Sequence, residues 1–290
     1  ILPTGVCTYE HVVSKIPHDQ IVEKAIEVRG LKIKITEIPI PVAVSPAFEG
    51  ERIRKEEMYC EFGGQRTPAF EWLRMRDISE VEDGKVEVVG SDVDSIQVGG
   101  KLPLGIIVEV AGRKMQPDFE PVLERQIHTF MNEAQGLWHM GQRDINWIRI
   151  SLNAEKAGFK LEHIGKLLHA KYHDQYSSIV DKVQVKIFTD EKQVVALREQ
   201  GRAVFAERDA RLAGMQDEDV ETFYSCTLCQ SFAPNHVCVV SPERPGLCGA
   251  YSWLDCRAAY EITPSGPNQP ISKGNCIEPT IGQWDRINAF

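Results

Sequence analysis

Four cysteines toward the end of the sequence are spaced so that their thiolates could bind one compact metal centre. They follow the pattern Cys-x2-Cys-x8-Cys-x9-Cys and are Cys226, Cys229, Cys238 and Cys248. Thiolate sulfur is a soft ligand that suits zinc and iron–sulfur clusters. The residues around these cysteines are rich in proline, glycine and aromatic side chains and show little periodicity, which is typical of a loop-rich segment that carries a site.

Three kinds of site use cysteines in this way: a disulfide framework, a structural zinc site and an iron–sulfur cluster. Disulfides are the least favoured, because a chain of 290 residues can bury a core without them and we expect no secretion signal at its first residues. Zinc ribbons usually carry two Cys-x2-Cys knuckles, whereas only Cys226 and Cys229 form one here. The asymmetry favours an iron–sulfur cluster, and zinc stays open as the alternative.

The composition limits the kinds of partner. Hydrophobic residues make up 42% and charged residues 26%, which is typical of a globular protein, and no apolar run approaches the roughly 20 residues that span a bilayer. The formal net charge of -9 argues against a broad surface for nucleic acid. We therefore expect a cytoplasmic protein with neither membrane nor nucleic-acid partners.

Local patterns divide the chain into three segments of a multidomain, mixed α and β (α+β) protein. We predict the tail of a preceding domain over 1–31, a middle α+β domain over 32–219 and the truncated start of a loop-rich metal-cluster domain over 220–290. Alternating apolar residues predict strands at LKIKITEIPIP, GIIVEVAG and VDKVQVKIF. Helical periodicity predicts helices over 118–135, around Leu161, Ile164, Leu167 and Leu168, and over 191–212.

Other residues with metal-binding side chains have a plainer interpretation. His169 and His173 lie four residues apart, so a helix would place both on one face, but no Glu follows His169 to act as a base. We interpret them as part of a solvated helix face. Cys7 and Cys60 lie far from the other cysteines, and we assign them no chemical role because isolated cysteines usually behave as small buried hydrophobic residues.

The segment FYSCTLCQSFAPNHVCVVSPERPGLCGAYSWLDCRAAYEI, with EFGGQRTPAFEWLRMR upstream, closely resembles the acetyl-CoA synthase subunits of bifunctional carbon monoxide dehydrogenase/acetyl-CoA synthase. The resemblance runs the length of the chain. It implies a centre called the A-cluster, in which one cysteine sulfur joins a [4Fe-4S] cluster to a proximal nickel, which is bridged to a distal nickel. By position, Cys226, Cys229, Cys238 and Cys248 resemble the cluster ligands, with Cys229 bridging. Phe232 matches an aromatic residue beside the proximal nickel, and an ordinary core Phe is the alternative.

The resemblance implies a CO-methylating acetyl-CoA synthase of acyltransferase type. Such an enzyme joins CO to a methyl group from a corrinoid iron–sulfur protein and gives the acetyl group to coenzyme A. It also implies a carbon monoxide dehydrogenase subunit and ferredoxin as partners. The family holds its distal nickel with Cys-Gly-Cys, which this sequence lacks. We therefore expect a fragment whose activity alone stays open, with most of the first domain missing and the motif lying beyond Phe290. The alternative is a zinc-stabilised interaction module without catalysis.

The stretch GLWHMGQRDINWIRI in the middle domain is a candidate site for coenzyme A. This ligand carries phosphates and an adenine, so its site needs guanidinium groups and preferably an aromatic face. The stretch supplies Trp138, Arg143, Trp147 and Arg149, and the resembling segment of the family has been connected with coenzyme A. The alternative is a half-buried strand over 146–150 that carries an exposed arginine.

Overall fold

The computed structural model describes residues 38–48, 52–231, 233–249 and 251–287. The predicted tail domain over 1–31, the alternating residues Leu31, Ile33 and Ile35 of the first predicted strand, Cys7 and Phe232 lie outside these ranges. Mixed sheets and helices occur throughout the described ranges, so the predicted mixed α and β fold class is confirmed.

Within these ranges the structure contains thirteen strands and five α-helices. The strands are β1 (Met58–Gly63), β2 (Ala69–Met75), β3 (Val86–Val89), β4 (Gly100–Leu102), β5 (Leu104–Ala111), β6 (Leu137–Gln142), β7 (Ile145–Ser151), β8 (Lys182–Phe188), β9 (Thr222–Cys226), β10 (Cys238–Val240), β11 (Pro270–Ser272), β12 (Cys276–Glu278) and β13 (Gln283–Trp284). The helices are α1 (Glu120–Asn132), α2 (Leu152–Lys156), α3 (Leu161–Tyr176), α4 (Glu191–Ala213) and α5 (Trp253–Ile262).

Two four-stranded sheets form the framework of the first part of the chain. Sheet A has the order β4-β1-β7-β6 and is antiparallel except where β1 pairs with β4. Sheet B has the order β2-β5-β8-β3, with parallel pairs at both edges and an antiparallel pair between β5 and β8. The strands predicted at GIIVEVAG and VDKVQVKIF are therefore confirmed as the two central strands of sheet B.

Strand β5 shows why sheet B forms the centre of the fold. All eight of its residues are buried. Ile106 and Val108 belong to the main core together with residues of α1 and α3, whereas Ile107 packs with Val194 and Phe205 of α4. Successive side chains of a strand point to opposite faces, so helices cover this sheet on both sides. Burial of each large apolar side chain contributes about 1.5–3 kcal/mol to folding.

The predicted helices occur with small changes at their ends. Helix α1 begins at Glu120 after a 3-10 turn over Pro117–Phe119 and ends at Asn132, inside the predicted range of 118–135. Gly136 follows with a φ of 76°, a backbone conformation that glycine adopts most easily. Helix α3 carries the four predicted apolar residues in the core, and α4 begins at the predicted residue and extends one residue farther.

The segment with the clustered cysteines has shorter elements. Its main sheet, sheet C, has the antiparallel order β10-β9-β11, and β12 pairs with β13 in a separate hairpin. Helix α5 starts at a capping box in which Ser252 and Asp255 bond each other's backbone N–H groups. Its buried face joins the main core, so this segment packs against the first part of the chain. None of the described helices is both long and apolar enough to cross a bilayer.

Candidate metal centre

The pairing of β9 with β10 brings together cysteines that are distant in sequence. Cys226 ends β9 and lies directly opposite Cys238, which begins β10. Opposed residues in an antiparallel pair project to the same face of the sheet. Cys229 follows within a 3-10 turn, where its carbonyl oxygen accepts a hydrogen bond from the Ala233 N–H at 2.8 Å. Cys248 lies in the loop between β10 and α5, completing the set.

The four thiol groups differ in exposure and affect one another's charge. Cys226 is buried, Cys229 and Cys238 are half-buried, and Cys248 is exposed; no disulfide joins cysteines in the described ranges. Desolvation raises the pKa of Cys229, and negative charge on Cys248, Cys238 and Cys226 raises it further. Like charges this close favour the neutral thiol until a cation compensates them. A metal centre would supply that compensation.

The two metal hypotheses require different distances between these sulfur atoms. Among the described residues, no three cysteines have their sulfur atoms within 4.8 Å of one another. A tetrahedral zinc ion with Zn–S bonds of about 2.3 Å holds its sulfurs about 3.8 Å apart. A [4Fe-4S] cluster binds each thiolate at a different iron and therefore spreads the sulfurs farther. A donor set of four thiolates suits either centre.

Two polar side chains contact cysteine sulfurs in this segment. His236 Nε2 lies 3.2 Å from Cys238 Sγ, so its N–H can donate to a thiolate there. Asn268 donates to Cys256 Sγ at 3.2 Å, but Cys256 is completely buried and its pKa is raised to about 12 by burial and by the charge of Cys226. Cys256 therefore remains a neutral thiol. His236 was not among the predicted site residues, although it lies two residues before Cys238, one of the predicted ligands.

The structure brings three of the four residues proposed for coenzyme A together. Trp138 on β6 and Trp147 on β7 have ring centroids 5.1 Å apart, and the Arg149 guanidinium lies over both rings at 5.2 and 4.4 Å. Arg149 also donates to Glu61 Oε2 at 2.9 Å and to the Ile53 carbonyl at 2.9 Å. The strand that the alternative placed over 146–150 occurs as part of β7, but Arg149 is only 14% exposed and not the exposed arginine of that alternative.

Arg143 has different neighbours. It lies in the tight turn between β6 and β7 with a φ of 55°. Its Nη1 donates to both carboxylate oxygens of Asp209 at 2.8 Å, its Nε donates to Glu124 at 3.2 Å, and its guanidinium lies over the Phe205 ring. The stretch that looked like one site in sequence therefore supplies two separate groups. In each group, carboxylates already neutralise the arginine.

A cleft of about 430 Å³ beside Trp147 offers further cationic groups. Its lining includes Arg66, Arg198 and Arg202, and it also contains Gly64, where an added Cβ would lie 3.7 Å from the Trp147 ring. Arg202 pairs with Asp144 at 2.6 Å and with Glu199 at 2.8 Å. The predicted helix over 191–212 includes Arg198 and Arg202. The sequence alone does not indicate that Arg66 lines the same cleft.

Comparisons with known proteins cover almost all of the described chain. The model of the CO dehydrogenase/acetyl-CoA synthase complex beta subunit family matches residues 40–194, and a model of the C-terminal part of the ACS/CODH beta subunit matches residues 205–290. The carbon monoxide dehydrogenase/acetyl-CoA synthase subunit alpha of Moorella thermoacetica is 55% identical over 273 residues, which cover 94% of this chain and 37% of that protein.

Two archaeal proteins are similar at somewhat lower identity. The acetyl-CoA decarbonylase/synthase complex subunit beta of Methanopyrus kandleri is 46% identical over 249 residues, covering 86% of this chain and 53% of the relative. That of Archaeoglobus fulgidus is 43% identical over 273 residues, covering 92% and 52%. The chain thus spans about half or less of the length of these relatives. Its matches show that it belongs to the CO dehydrogenase/acetyl-CoA synthase complex beta subunit family.

Proposed function

We propose that this chain provides the cluster-binding part of an acetyl-CoA synthase, which assembles acetyl-CoA from CO, a corrinoid-borne methyl group and coenzyme A. The observation that carries the proposal is the register of sheet C, which sets Cys226 opposite Cys238, with Cys229 near enough for the charges of Cys248, Cys238 and Cys226 to raise its pKa, in a member of this family. The names of the relatives support synthesis of acetyl-CoA. The proposed partners are a carbon monoxide dehydrogenase subunit, a corrinoid iron–sulfur protein and ferredoxin.

In this proposal each cysteine has a defined role. Cys226, Cys229, Cys238 and Cys248 would hold a [4Fe-4S] cluster, and the Cys229 thiolate would also be shared with nickel. When bound, nickel supplies the position at which CO and the methyl group are joined and passed to coenzyme A. Cys229 suits bridging because it is half-buried and because thiolate sulfur keeps lone pairs after binding one metal. Phe232, outside the described residues, is proposed to restrict access to nickel.

Buried aromatic residues belong to the same segment as the cysteines. Tyr224 and Trp253 are buried with ring centroids 6.0 Å apart, and the Trp253 N–H donates to the Thr222 carbonyl at 2.8 Å. Cys226 is buried on the same strand as Tyr224, whereas Cys248 is exposed to solvent. A site with one buried and one exposed cysteine would hold a cluster while remaining open to substrates.

Anaerobic reconstitution with iron and sulfide tests the cluster. We expect the wild-type chain to acquire the visible absorption of an iron–sulfur cluster and Cys226→Ala, Cys238→Ala and Cys248→Ala to lose it, because each thiolate is the sole protein ligand of one iron. Cys276→Ala is the matched control, since Cys276 is an exposed cysteine of the neighbouring hairpin. A colourless wild-type protein with one zinc per chain would support the interaction module instead, and full iron retention in all three variants would refute the assignment.

Cys229→Ala separates bridging from cluster binding. In the assembled enzyme we expect nickel-dependent acetyl-CoA formation to disappear even where an outside thiol restores part of the cluster absorption. The measurement is acetyl-CoA formation with and without added nickel, alongside the absorption spectrum. Unchanged synthesis in Cys229→Ala would contradict the bridging role.

We also propose that the β6–β7 region binds coenzyme A, with Trp138 and Trp147 facing the adenine and Arg143 and Arg149 near phosphates. The aromatic cluster and the adjoining arginine-lined cleft support this placement. The competing carboxylates Glu61 and Asp209 oppose it, because a phosphate must displace them.

Titration with coenzyme A at two ionic strengths tests this site. Arg143→Ala should weaken binding most at low salt, because ions screen a charged contact, whereas Trp138→Ala should weaken it at all salt concentrations. Arg113→Ala, which removes an exposed arginine paired with Asp181, is the control. Wild-type affinity in both test variants would remove the site.

A further inference from the structure

A second group of metal-binding side chains lies on α3, outside the cysteine segment. His169 and His173 are one turn apart on this helix, and Asp83 reaches them from the loop before β3. The ligand atoms of all three residues lie within 4.8 Å of one another. Our interpretation of this face as solvated was incomplete, because both imidazoles are half-buried and share a carboxylate. We propose that Asp83, His169 and His173 bind a divalent transition-metal cation.

The distances between the ligand atoms match what such a cation requires. His169 Nε2 lies 3.1 Å and His173 Nε2 2.8 Å from the same oxygen, Asp83 Oδ1. A tetrahedral zinc ion with bonds of about 2.0–2.2 Å to nitrogen and oxygen places its ligand atoms about 3.3–3.6 Å apart. The two nitrogen–oxygen distances therefore need to lengthen by less than about 1 Å. On binding, each neutral imidazole gives Nε2 to the metal and carries its proton on Nδ1.

The Asp83 carboxylate is held in place by a backbone group of sheet B. The Val183 N–H on β8 donates to Asp83 Oδ1 at 2.9 Å, and the Gly84 N–H donates to the Val183 carbonyl at 2.9 Å. Gly84 has a φ of 77°, a left-handed conformation that glycine adopts most easily, so the turn after Asp83 forms without strain. The Asp83 carboxylate is therefore held by backbone groups before any ion binds.

Helix α3, which carries both histidines, packs closely against the edge of sheet B. At Gly165 of α3, an added Cβ would lie 2.5 Å from a methyl carbon of Val86 on β3. Only glycine permits this close packing, which sets the distance between the helix and the sheet edge next to the histidines. The imidazole rings themselves lie in contact, with centroids 4.5 Å apart. Helix α3 therefore presents two of the ligands, and the loop before β3 presents the third.

The exposure of the site indicates its role. His169, His173 and Asp83 have side chains that are 28%, 29% and 43% exposed, so a cation can enter from solvent and keep a water molecule as its fourth ligand. No Glu follows His169 to serve as a base. The site therefore joins the loop before β3 to α3 rather than activating water for hydrolysis.

Equilibrium dialysis against Zn²⁺ tests the proposal in the complete chain. The cysteines also bind zinc, so the comparison is between variants that all keep them. We expect the wild type to retain one more zinc per chain than His169→Ala or His173→Ala. His163→Ala is the control, because His163 lies on the first turn of the same helix and accepts a hydrogen bond from the Lys160 N–H. Equal zinc content in wild type and the two test variants would overturn the site.

A second variant and a second measurement guard against loss of structure. Asp83→Asn keeps an amide oxygen that can accept the Val183 N–H, so the loop should remain folded while zinc affinity falls about tenfold or more. In NMR spectra of the imidazoles, Zn²⁺ should shift the signals of His169 and His173 and leave those of His163 unchanged. Unshifted His169 and His173 signals at saturating Zn²⁺ would equally refute the proposal.

Discussion

Between residues 52 and 213, two four-stranded sheets and four helices enclose most of the main apolar core, whereas residues 220–287 arrange strands of two to five residues around four cysteines. Of the twelve largest fully buried side chains in the described ranges, only Phe223 comes from the second region. Burial of apolar surface is the main favourable term in folding. The first region therefore supplies most of the apolar burial that stabilises the fold, and the second has little core of its own.

The two regions also differ in how the charges of their side chains are compensated. In the first, Arg208 is 3% exposed and donates to Glu124 at 2.9 Å, to Glu120 at 2.6 Å and to the Leu73 carbonyl at 2.6 Å. One buried guanidinium thus ties α4 to α1 and β2, with its charge already compensated. In the second, desolvation raises the pKa of Cys229, negative charge on Cys248, Cys238 and Cys226 raises it further, and a bound metal cation would oppose both effects. The charge of Arg208 is therefore compensated within the first region, whereas a cation would favour the ionised form of Cys229 in the second.

Removing the metal should separate the two regions most strongly. We expect amide hydrogen exchange in residues 220–287 to accelerate by roughly ten-thousandfold, because metal binding supplies folding free energy to a segment with little core of its own. Exchange in β5 and β8 should change little. The measurement is hydrogen-exchange mass spectrometry of cluster-loaded and chelator-treated protein. Equal acceleration in both regions would show that they unfold together.

Matched core truncations compare the regions directly. Phe130→Ala should destabilise the protein by about 3–5 kcal/mol, because Phe130 is fully buried against Tyr172 at a ring distance of 5.1 Å. Phe223→Ala, which loses a contact with Trp284 at 5.9 Å, should lower the global free energy of unfolding less and should mainly loosen the cysteine segment. Urea unfolding measures both variants. A larger global loss from Phe223→Ala would reverse the comparison.

Acid titration tests the charged part of the first region. Burial by itself raises the pKa of Glu109, but hydrogen bonds from Gln184, Lys186 and Arg74 outweigh it and lower the pKa from 4.5 to about 2. A depressed folded-state pKa gives stability that is present above pH 4.5 and lost as pH falls through about 2. Glu109→Gln should cost about 2 kcal/mol at neutral pH, after allowance for solvent screening, and should flatten this dependence.

The measurement is urea unfolding of metal-free protein at several pH values, so that thiol protonation and metal loss do not contribute. Glu87→Gln is the control, because Glu87 is an exposed glutamate on β3. If Glu109→Gln and the wild type show the same pH dependence, the hydrogen bonds to Glu109 do not stabilise the ionised form.

The smallest expected effect concerns the hydrogen bond from His236 to Cys238. A donor on a ligand sulfur stabilises the reduced cluster, which carries more negative charge, so His236→Ala should lower the reduction potential by on the order of 50 mV. His236→Gln, which can still donate, should retain most of the wild-type potential. Redox titration of the reconstituted protein measures the difference. A potential unchanged in His236→Ala would show that the contact does not tune the cluster.

The sequence by itself determined the features that depend on local pattern. Helices α1, α3 and α4 and strands β5 and β8 occur where periodicity predicted them, because an apolar face must repeat at the period of the element that buries it. Cys60 is buried in the main core, as expected for an isolated cysteine. The cysteine spacing identified soft-ligand chemistry. The roles of the four cysteines, Phe232 and the coenzyme A residues stay predictions.

Only the tertiary structure decided which distant residues meet. The register of β9 and β10 places Cys226 opposite Cys238, and the packing of α3 on sheet B brings His169 and His173 to Asp83. A tight turn gives Arg143 neighbours different from those of Arg149, although only five residues separate them. Local periodicity fixes which face of an element is buried. It does not fix which element covers that face, because that depends on packing among all the elements at once.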